Sequence, residues 1–319
     1  MPEKDLLAER FEEHRGRLRG VAYRLLGSMA EAEDAVQETW IRVSRADASE
    51  VDNLGGWLTT IVARVALNML RARNIRREEP YEGHLPDPVV ILDGELQPEE
   101  EALMADSVGL ALLVVLDSLG PAERLAFVLH DVFQLPFEEI APMVGRTPAA
   151  ARQLASRARR RVQGAHVPTP DPDRARQRAV VDAFFTAARG GDLQTLMSLL
   201  DPEVVLRTDF GARHPDRSGV IRGAASVAGS SLSGAAIPGS RLIPALVNGA
   251  VGAVVVVGDR PFVVMGFVVA ASGRIVEIDA APAPDRSRNR AIPWSSLSSS
   301  PSASRALRSG PDGLASQAR

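Results

Sequence analysis

The densest arginine cluster of this 319-residue chain is the first feature that could do chemistry. Residues 145–161 contain six arginines and no acidic residue. An arginine can donate two parallel hydrogen bonds to a phosphate or to guanine O6 and N7, and a glutamine can bond adenine N6 and N7. A solubilising helix face usually mixes both signs of charge. The single sign here therefore favours contact with DNA.

Helical spacing divides this segment into two faces. The small apolar face consists of Ala150, Leu154, Ala158 and Val162. The side chains that project elsewhere are polar, and they are Arg152, Gln153, Ser156, Arg157 and Arg160. A recognition helix needs this division, because its apolar face packs on a supporting helix while its polar face enters the major groove.

A second arginine-rich segment, residues 53–77, has five arginines and no acidic residue. Its side chains suited to a phosphate backbone or an unpaired base are Trp57, Thr59, Thr60, Arg64 and Arg71. A tryptophan can stack on an unpaired base while nearby arginines hold the phosphates. A core tryptophan with arginines at the surface explains the same residues equally well, so both interpretations remain open.

The segment between these two arginine clusters has the opposite charge. Residues 78–106 contain ten acidic residues and no lysine or arginine, so the net charge of −3 conceals an alternation along the chain. The chain has no cysteine, which excludes disulfides, thiolate nucleophiles and cysteine zinc sites. Its five histidines are scattered, and no phosphate-binding glycine loop stands out. We therefore expect no metal and no cofactor.

The elements that position these residues can be read from periodicity and turn signals. Helices are predicted over 29–43, 57–73, 121–132, 136–143 and 147–162, and the turn Val144-Gly145-Arg146 makes the last two a helix-turn-helix. Two linkers are predicted over 74–98 and 165–172. After residue 172, helices followed by strand-like runs predict an α+β domain.

Neither end of the chain suggests membrane targeting or export. The first twenty residues are rich in charge, and no run of eighteen apolar residues occurs, so neither a signal sequence nor a membrane span is expected. The serine-rich segment 285–319 is predicted to be disordered. We expect a cytoplasmic protein with no membrane contact.

These motifs resemble a known family. The stretch FEEHRGRLRGVAYRLLGSMAEAEDAVQETWIRV, with GWLTTIVARVALNMLRAR, resembles domain two of bacterial extracytoplasmic-function sigma factors. LDSLGPAERLAFVLHDVFQLPFEEIAPMVGRTPAAARQLASRARRRV resembles their domain four. The fold class implied is multi-domain: two all-α domains, over 5–77 and 107–164, an acidic linker over 78–106, and an α+β SnoaL/NTF2-like cone over 173–284.

The resemblance implies roles for individual residues. The side chains expected to dock on the clamp of core RNA polymerase are Asp34, Gln37, Glu38 and Trp40. The 57–73 helix corresponds to the segment that melts and reads the minus-ten promoter element. The helix that begins after Arg146 and Thr147 corresponds to the reader of the minus-thirty-five element. Arg64 and Asn68 stand where many relatives carry asparagine and aspartate, so the base preference does not transfer.

The carboxyl-terminal stretch AFFTAARGGDLQTLMSLLDPEVVLRTDFGARHPDRSGVIRGA resembles the SnoaL-like domain attached to one group of these sigma factors. Such relatives carry a linker motif and a glycine-rich loop. The corresponding residues here, expected to form a regulatory contact, are Leu85, Pro86, Asp87 and Pro88 in the linker and Asp209, Phe210, Gly211 and Arg213 in the loop. Asp209 and His214 also have a spacing suited to the acid/base pair of the fold's enzymes.

Two hypotheses follow from the sequence. In the first, the chain is a non-enzymatic sigma factor whose partners are promoter DNA and the clamp and flap surfaces of core RNA polymerase, with the SnoaL-like domain tuning activity in cis. In the second, the chain is a ligand-sensing regulator or small-molecule enzyme centred on the open pocket of that domain. A small molecule in this pocket is a candidate partner in either case.

Overall fold

A computed structural model gives the architecture of the chain. It describes residues 2–46, 51–75, 85–92, 110–165, 168–211, 215–235 and 237–283. The predicted disordered tail, most of the acidic linker, and the site candidates Arg213 and His214 lie outside the described residues.

Three helices form the amino-terminal domain. They are α1 (Pro2–Leu26), α2 (Met29–Val43) and α3 (Leu54–Ile75). The chain turns between α1 and α2 at Gly27, whose φ of 76° suits glycine. Ser28 then caps α2, because its side-chain oxygen accepts a hydrogen bond from the Glu31 amide. All three helices pack on one another around buried apolar side chains.

The second helical domain contains α4 (Leu110–Asp117), α5 (Pro121–Phe127), which continues as a π-helix over Val128–Val132, α6 (Phe137–Val144) and α7 (Pro148–Gly164). Gly145 ends α6 with a φ of 69°, and Thr147 caps α7 by accepting a hydrogen bond from the Ala150 amide at 3.3 Å. These are the turn and the cap of a helix-turn-helix.

The buried face of α7 differs from the predicted one. Its fully buried residues are Ala151, Ala155 and Ala158. Ala150, Leu154 and Val162 are half-buried at the edge of this face. The apolar stripe is therefore rotated from the predicted position, because three alanines allow α7 to pack closely on α5 and α6.

The carboxyl-terminal domain packs three helices, α8 (Arg174–Gly190), α9 (Leu193–Leu199) and α10 (Ala224–Ala235), on a curved sheet. The strands from this domain are β2 (Leu200–Thr208), β3 (Gly219–Arg222), β4 (Ser240–Val247), β5 (Ala250–Val257), β6 (Arg260–Val269) and β7 (Ile275–Pro282). The α+β prediction is confirmed, and so is the multi-domain class.

The first strand, β1 (Val90–Leu92), comes from the segment predicted to be an extended linker. It pairs antiparallel with β4, with Val90 opposite Val247. In the described part of the chain the sheet then has seven strands in the order β1-β4-β5-β6-β7-β2-β3. The linker prediction was wrong for these three residues, because the unpaired edge of β4 offers backbone partners that lie more than 150 residues away in sequence.

The two faces of the sheet have different neighbours. The inner face packs against α8, α9 and α10 around Phe184, Phe267 and Ile278. On the outer face, Val254 and Val264 form a separate cluster with Val90 and Leu92 of the linker strand. Ala281, also near this junction, belongs to the same apolar core as α1 to α7. The sheet therefore separates an inner cavity side from a side that meets the linker.

Candidate nucleic-acid interface and linker junction

The polar face of α7 is directed to solvent. Arg152, Gln153, Arg157 and Arg160 are exposed, and Ser156 is half-buried. Arg146 and Thr147, at the start of the helix, are exposed too. Most of the side chains predicted to read DNA are thus accessible to solvent at one end and along one helix of the domain.

Acidic residues of the same domain already hold several α7 arginines. Arg157 Nε donates to Glu123 Oε1 at 2.8 Å, and Arg161 Nη1 donates to Glu123 Oε2 at 3.2 Å. Arg159 forms a hydrogen-bonded ion pair with Asp131 at 2.6 Å. Exposed pairs of this kind contribute only about 0–1 kcal/mol, so a phosphate or a base can compete for Arg157.

Arg152 has a different neighbour. Its guanidinium lies over the ring of Phe137, 5.2 Å from the ring centroid, in a cation–π arrangement. This contact orients the arginine at the surface while its hydrogen-bond donors still face solvent. Arg152 is therefore the α7 arginine best prepared for a base or phosphate contact.

Most of the α3 residues predicted to contact DNA lie at least partly at the helix surface, but one does not. Arg64 and Arg71 are exposed, and Thr60 is half-buried with its hydroxyl donating to Gly56 O. Thr59 is only 1% exposed, and its hydroxyl donates to Gly55 O at 2.7 Å. Its assignment to the DNA-facing set is corrected here, because a buried hydroxyl bonded to its own helix has no access to DNA.

Trp57 is half-buried and packs against the helical core. The open question about this residue is therefore answered only in part, since one edge of its ring remains accessible. On α2, Asp34 and Gln37 are exposed, whereas Glu38 is half-buried and bonds Arg42 at 2.8 Å. Trp40 is half-buried with its ring centroid 5.0 Å from that of Phe11.

The linker lies between the first helical domain and the carboxyl-terminal sheet. The Leu85 amide donates to Asp209 Oδ2 at 2.9 Å, in a buried position. On the other side, the Asp87 amide donates to Gly27 O at 2.9 Å, and the Met29 amide donates to Asp87 Oδ2 at 3.1 Å. Pro86 and Pro88 are buried between these contacts. The structure thus brings the linker motif and Asp209 together.

Two residues that sequence reasoning missed complete this junction. Asn248 Oδ1 accepts from the Val89 amide at 2.7 Å, and the Asn248 amide donates to Val89 O at 2.8 Å. Asn248 Nδ2 donates to the phenol oxygen of Tyr23 at 2.9 Å, and that phenol donates to Asp87 O. Burial raises the pKa of Tyr23, so the phenol keeps its proton and donates.

The sequence did carry one signal for this position. Asn248-Gly249 is a typical two-residue hairpin turn between β4 and β5, and Asn248 has the left-handed φ of 48°. That signal predicts a turn. It does not predict that the asparagine side chain bonds a linker 159 residues earlier, which only the tertiary structure shows.

A buried arginine joins the two helical domains next to the linker. Arg124 Nη1 donates to Asp117 Oδ1 at 2.6 Å, and Arg124 Nε donates to the Arg24 carbonyl of α1 at 3.4 Å. Arg73 of α3 reaches the same Asp117 and also bonds Glu31. Burial lowers the pKa of the Arg124 guanidinium, and Asp117 opposes this shift. The two helical domains are therefore joined by a charge cluster in which Arg124 is shielded from water and Arg73, Asp117 and Glu31 are only partly exposed.

Comparisons with known proteins agree with this architecture. Residues 10–75 match the model of Sigma-70 region 2, and residues 109–162 match that of Sigma-70, region 4. The chain is 42% identical over 250 residues to the ECF RNA polymerase sigma factor SigJ of Mycobacterium tuberculosis, which covers 76% of this chain and 79% of that protein. The chain belongs to the extracytoplasmic-function sigma factors.

Two further similarities support the assignment. The probable ECF sigma factor SigI of the same organism is 37% identical over 212 residues, covering 66% of this chain and 72% of SigI. The crystal structure of Mycobacterium tuberculosis SigJ superposes with a TM-score of 0.71 at 36% identity, covering 89% of this chain and all of that one. This sigma factor thus acts in promoter-specific transcription initiation, with core RNA polymerase and promoter DNA as its partners.

The SnoaL-like domain of this sigma factor encloses a cavity of about 230 Å³ on the inner face of its sheet. Phe210, predicted to contact the linker, instead lines the cavity. Asp209 does not line it, because its carboxylate faces the linker and also accepts from the Gly211 amide at 2.8 Å. The proposed use of Asp209 as an acid or base in the pocket is therefore corrected; His214 is outside the described residues.

A buried acidic pair occupies another part of the sheet. Glu277 and Asp279 of β7 share Arg207 of β2, whose Nη1 lies 2.6 Å and 3.3 Å from their respective carboxylate oxygens. Burial and the neighbouring Glu277 raise the pKa of Asp279 well above its usual range, although Arg207 opposes this shift.

None of the helices in the described part of this sigma factor has the length and apolar character that a membrane crossing needs. Among the same residues, no three histidine, aspartate or glutamate side chains converge in a way that could hold a metal ion.

Proposed function

We propose that the SnoaL-like domain modulates this sigma factor in cis by clamping the linker between the two helical domains. The observation that carries the proposal is the linker segment 85–92. Its amides and carbonyls bond Asp209 and Asn248 on one side and the Gly27–Met29 turn on the other. We call this set of contacts the linker clamp.

The linker clamp favours one arrangement of the helical domains. The family resemblance assigns the clamp and flap surfaces of polymerase to separate domains, so both domains must be free to reach their surfaces. In the structure, α3 packs on α5 and α6, and Arg124 bridges to α1. A linker held at both sides disfavours separation, so the SnoaL-like domain would lower the population that is competent to bind polymerase.

The proposal also assigns the surfaces that act once the domains separate. Asp34, Gln37, Glu38 and Trp40 would dock on the polymerase clamp. Arg64 and Arg71, with Trp57 and Thr60, would contact the melted minus-ten element. The duplex readers would be Arg152, Gln153, Ser156, Arg157 and Arg160, preceded by Arg146 and Thr147. The exposure of most of these side chains supports the assignment.

The proposal divides the chain as the sequence suggested. Domain two would cover 5–77, the acidic linker 78–106, domain four 107–164, and the regulatory domain 173–284. The strand Val90–Leu92 lies in the acidic linker yet completes the regulatory sheet, which supports a regulatory role for the linker itself. In this proposal the chain performs no chemistry of its own and works in the cytoplasm.

The decisive experiment removes the Asn248 side chain without straining its turn. Asn248→Gly keeps the left-handed backbone and the backbone hydrogen bond to Val89 O, and it deletes the two side-chain hydrogen bonds, one from the Val89 amide and one to Tyr23. Each buried bond lost contributes about 0.5–1.5 kcal/mol, so the open population should rise roughly 5-fold or more. Run-off transcription from a cognate promoter with limiting core polymerase should rise accordingly.

Ser272→Gly is the matched control, because Ser272 is an exposed turn residue between β6 and β7, away from the linker. Its transcript yield should equal that of the unmodified chain. Circular dichroism should show that both variants fold. If Asn248→Gly leaves the transcript yield unchanged, modulation through the linker clamp is excluded.

A further inference from the structure

The cavity of the SnoaL-like domain has an aromatic lining. Four phenylalanines contribute to its wall, and they are Phe184, Phe185, Phe210 and Phe262. Phe262 is 37% exposed, and its ring centroid lies 6.4 Å from that of Phe210. An exposed Phe262 beside a half-buried Phe210 indicates an apolar entrance to the cavity. Pockets for drug-sized ligands measure roughly 300–1,000 Å³, so a cavity of about 230 Å³ suits a smaller molecule.

The polar groups of the wall limit the chemistry of an occupant. Arg189, near the end of α8, is the single charged side chain among the described lining residues. The hydroxyls of Thr208 and Ser231 already donate to backbone carbonyls, whereas Ser230 and Ser240 add further hydroxyls to the wall. An arginine beside aromatic rings favours a ligand with a planar apolar body and one anionic group.

We propose that this cavity binds a compact aromatic carboxylate, with the ring between the phenylalanines and the carboxylate at Arg189. The described lining carries no carboxyl, imidazole, amine or phenol group that could act as a general acid or base. The ligand is therefore held as a signal and not converted. This inference rests on the proposed cis modulation only in its second part, the coupling to the linker.

The cavity and the linker are coupled through the residues at the end of strand β2 and just after it. Successive residues point to opposite faces of a strand, so Thr208 and Phe210 face the cavity while Asp209 between them faces the linker. The Asp209 amide also donates to the carbonyl of Ala280, another cavity residue, at 2.9 Å. We expect a ligand that packs against Phe210 to shift the backbone that holds Asp209 against Leu85. Binding and clamping are thus linked through three consecutive residues.

The binding test uses isothermal titration of the full chain with 1-naphthoate and with the neutral 1-naphthylmethanol. One saturable site for 1-naphthoate is expected. Ser230→Phe, which fills the cavity, should weaken binding at least 10-fold, whereas Ser233→Phe, on the exposed side of the same helix, should not. Arg189→Gln should weaken 1-naphthoate about 10-fold and leave 1-naphthylmethanol unchanged. Arg174→Gln, an exposed arginine of α8, is the control for charge.

Three results of this titration would overturn the site. They are absence of saturable 1-naphthoate binding, binding that Ser230→Phe does not weaken, and an equal effect of Arg189→Gln on both probes. Circular dichroism of each variant separates loss of binding from loss of folding. Because these measurements involve no transcription, their outcome is independent of whether the linker clamp modulates activity.

The coupling is tested by hydrogen exchange of segment 85–92 with and without saturating 1-naphthoate. We expect the exchange rate of the Leu85 amide to change at least 2-fold, and Ser230→Phe to abolish the change. Unchanged exchange with 1-naphthoate bound would refute the coupling and leave the binding site standing. Changed exchange, together with an Asn248→Gly variant whose transcript yield equals that of the unmodified chain, would refute cis modulation instead.

Discussion

The arginine-rich surface of α7, which we propose to face DNA, and the linker junction both use arginine paired with an acid, but in different surroundings. Arg157 is 49% exposed and bonds Glu123 at 2.8 Å, whereas Arg124 is 2% exposed and bonds Asp117 at 2.6 Å. The two distances are nearly equal. Solvent therefore decides what each pair does: the exposed pair can exchange its partner cheaply, and the buried pair cannot.

This difference matches the work that each region has to do. A helix that binds and leaves DNA needs charges whose present partners can be replaced by phosphates or bases. A junction that sets the arrangement of domains needs contacts that are costly to break singly. The sigma factor thus uses one residue type for a replaceable contact and for a fixed one, and burial alone distinguishes them.

The largest expected effect comes from breaking the buried pair of Arg124 and Asp117. Arg124→Ala leaves the Asp117 carboxylate without its closest partner and should lower the free energy of unfolding by about 3–5 kcal/mol. Urea denaturation followed by circular dichroism measures it. Arg161→Ala, which removes an arginine that is 58% exposed, is the matched control and should change stability by less than about 1 kcal/mol. Equal losses for the two variants would show that burial does not distinguish these pairs.

The second effect concerns DNA affinity at the exposed surface. Arg152→Ala should weaken binding of a duplex that carries the cognate minus-thirty-five element by about 1–3 kcal/mol, without a comparable loss of stability. Fluorescence anisotropy at fixed salt measures the affinity. Arg159→Ala removes the same charge from the same helix, but Arg159 bonds Asp131 and is not among the predicted readers. An equal loss from both substitutions would mean that α7 contributes only general charge.

The smallest effect is a pH dependence at the buried acidic pair. Because burial and Glu277 raise the pKa of Asp279, the folded state retains a proton that the unfolded state releases. Stability should fall as the pH rises from the ordinary aspartate pKa to the raised one, by at most about 1.4 kcal/mol per pH unit. Asp279→Asn should flatten this slope in urea titrations at several pH values. Asp259→Asn, at an exposed turn, should leave the slope intact.

Much of the fold was readable from local sequence. The helices over 29–43 and 57–73 and the helix-turn-helix appear near their predicted positions, because caps, glycine turns and apolar spacing act within a few residues. Strand β3 and helix α10 were not predicted. The α10 sequence is rich in glycine, serine and alanine and has weak periodicity, and β3 has only four residues, so packing on the sheet and on α8 and α9 decides their structure.

The candidate site residues likewise divide into those that local sequence placed correctly and those that it did not. Residues on helix surfaces, such as Asp34, Arg64 and Arg152, are exposed as their spacing predicts. Thr59 and Phe210 were misassigned, because one residue along a helix rotates a side chain by about 100° and one residue along an extended chain reverses the side to which it points. Tyr23 and Asn248 were missed entirely, since neither belongs to a local motif for linker binding.

The sequence by itself determined the family, the order of the two helical domains and the helix surfaces that we propose to meet DNA and polymerase. These features depend on residue types at short spacing, where the geometry of a helix is known in advance. Only the tertiary structure decided that Val90–Leu92 joins the carboxyl-terminal sheet and that Asn248 holds the linker. The reason is physical. Backbone amides are alike as donors and backbone carbonyls are alike as acceptors, so the residue types do not specify which backbone groups will pair. Burial and chain topology determine which groups pair, and here they connect the carboxyl-terminal sheet to the linker of the sigma factor.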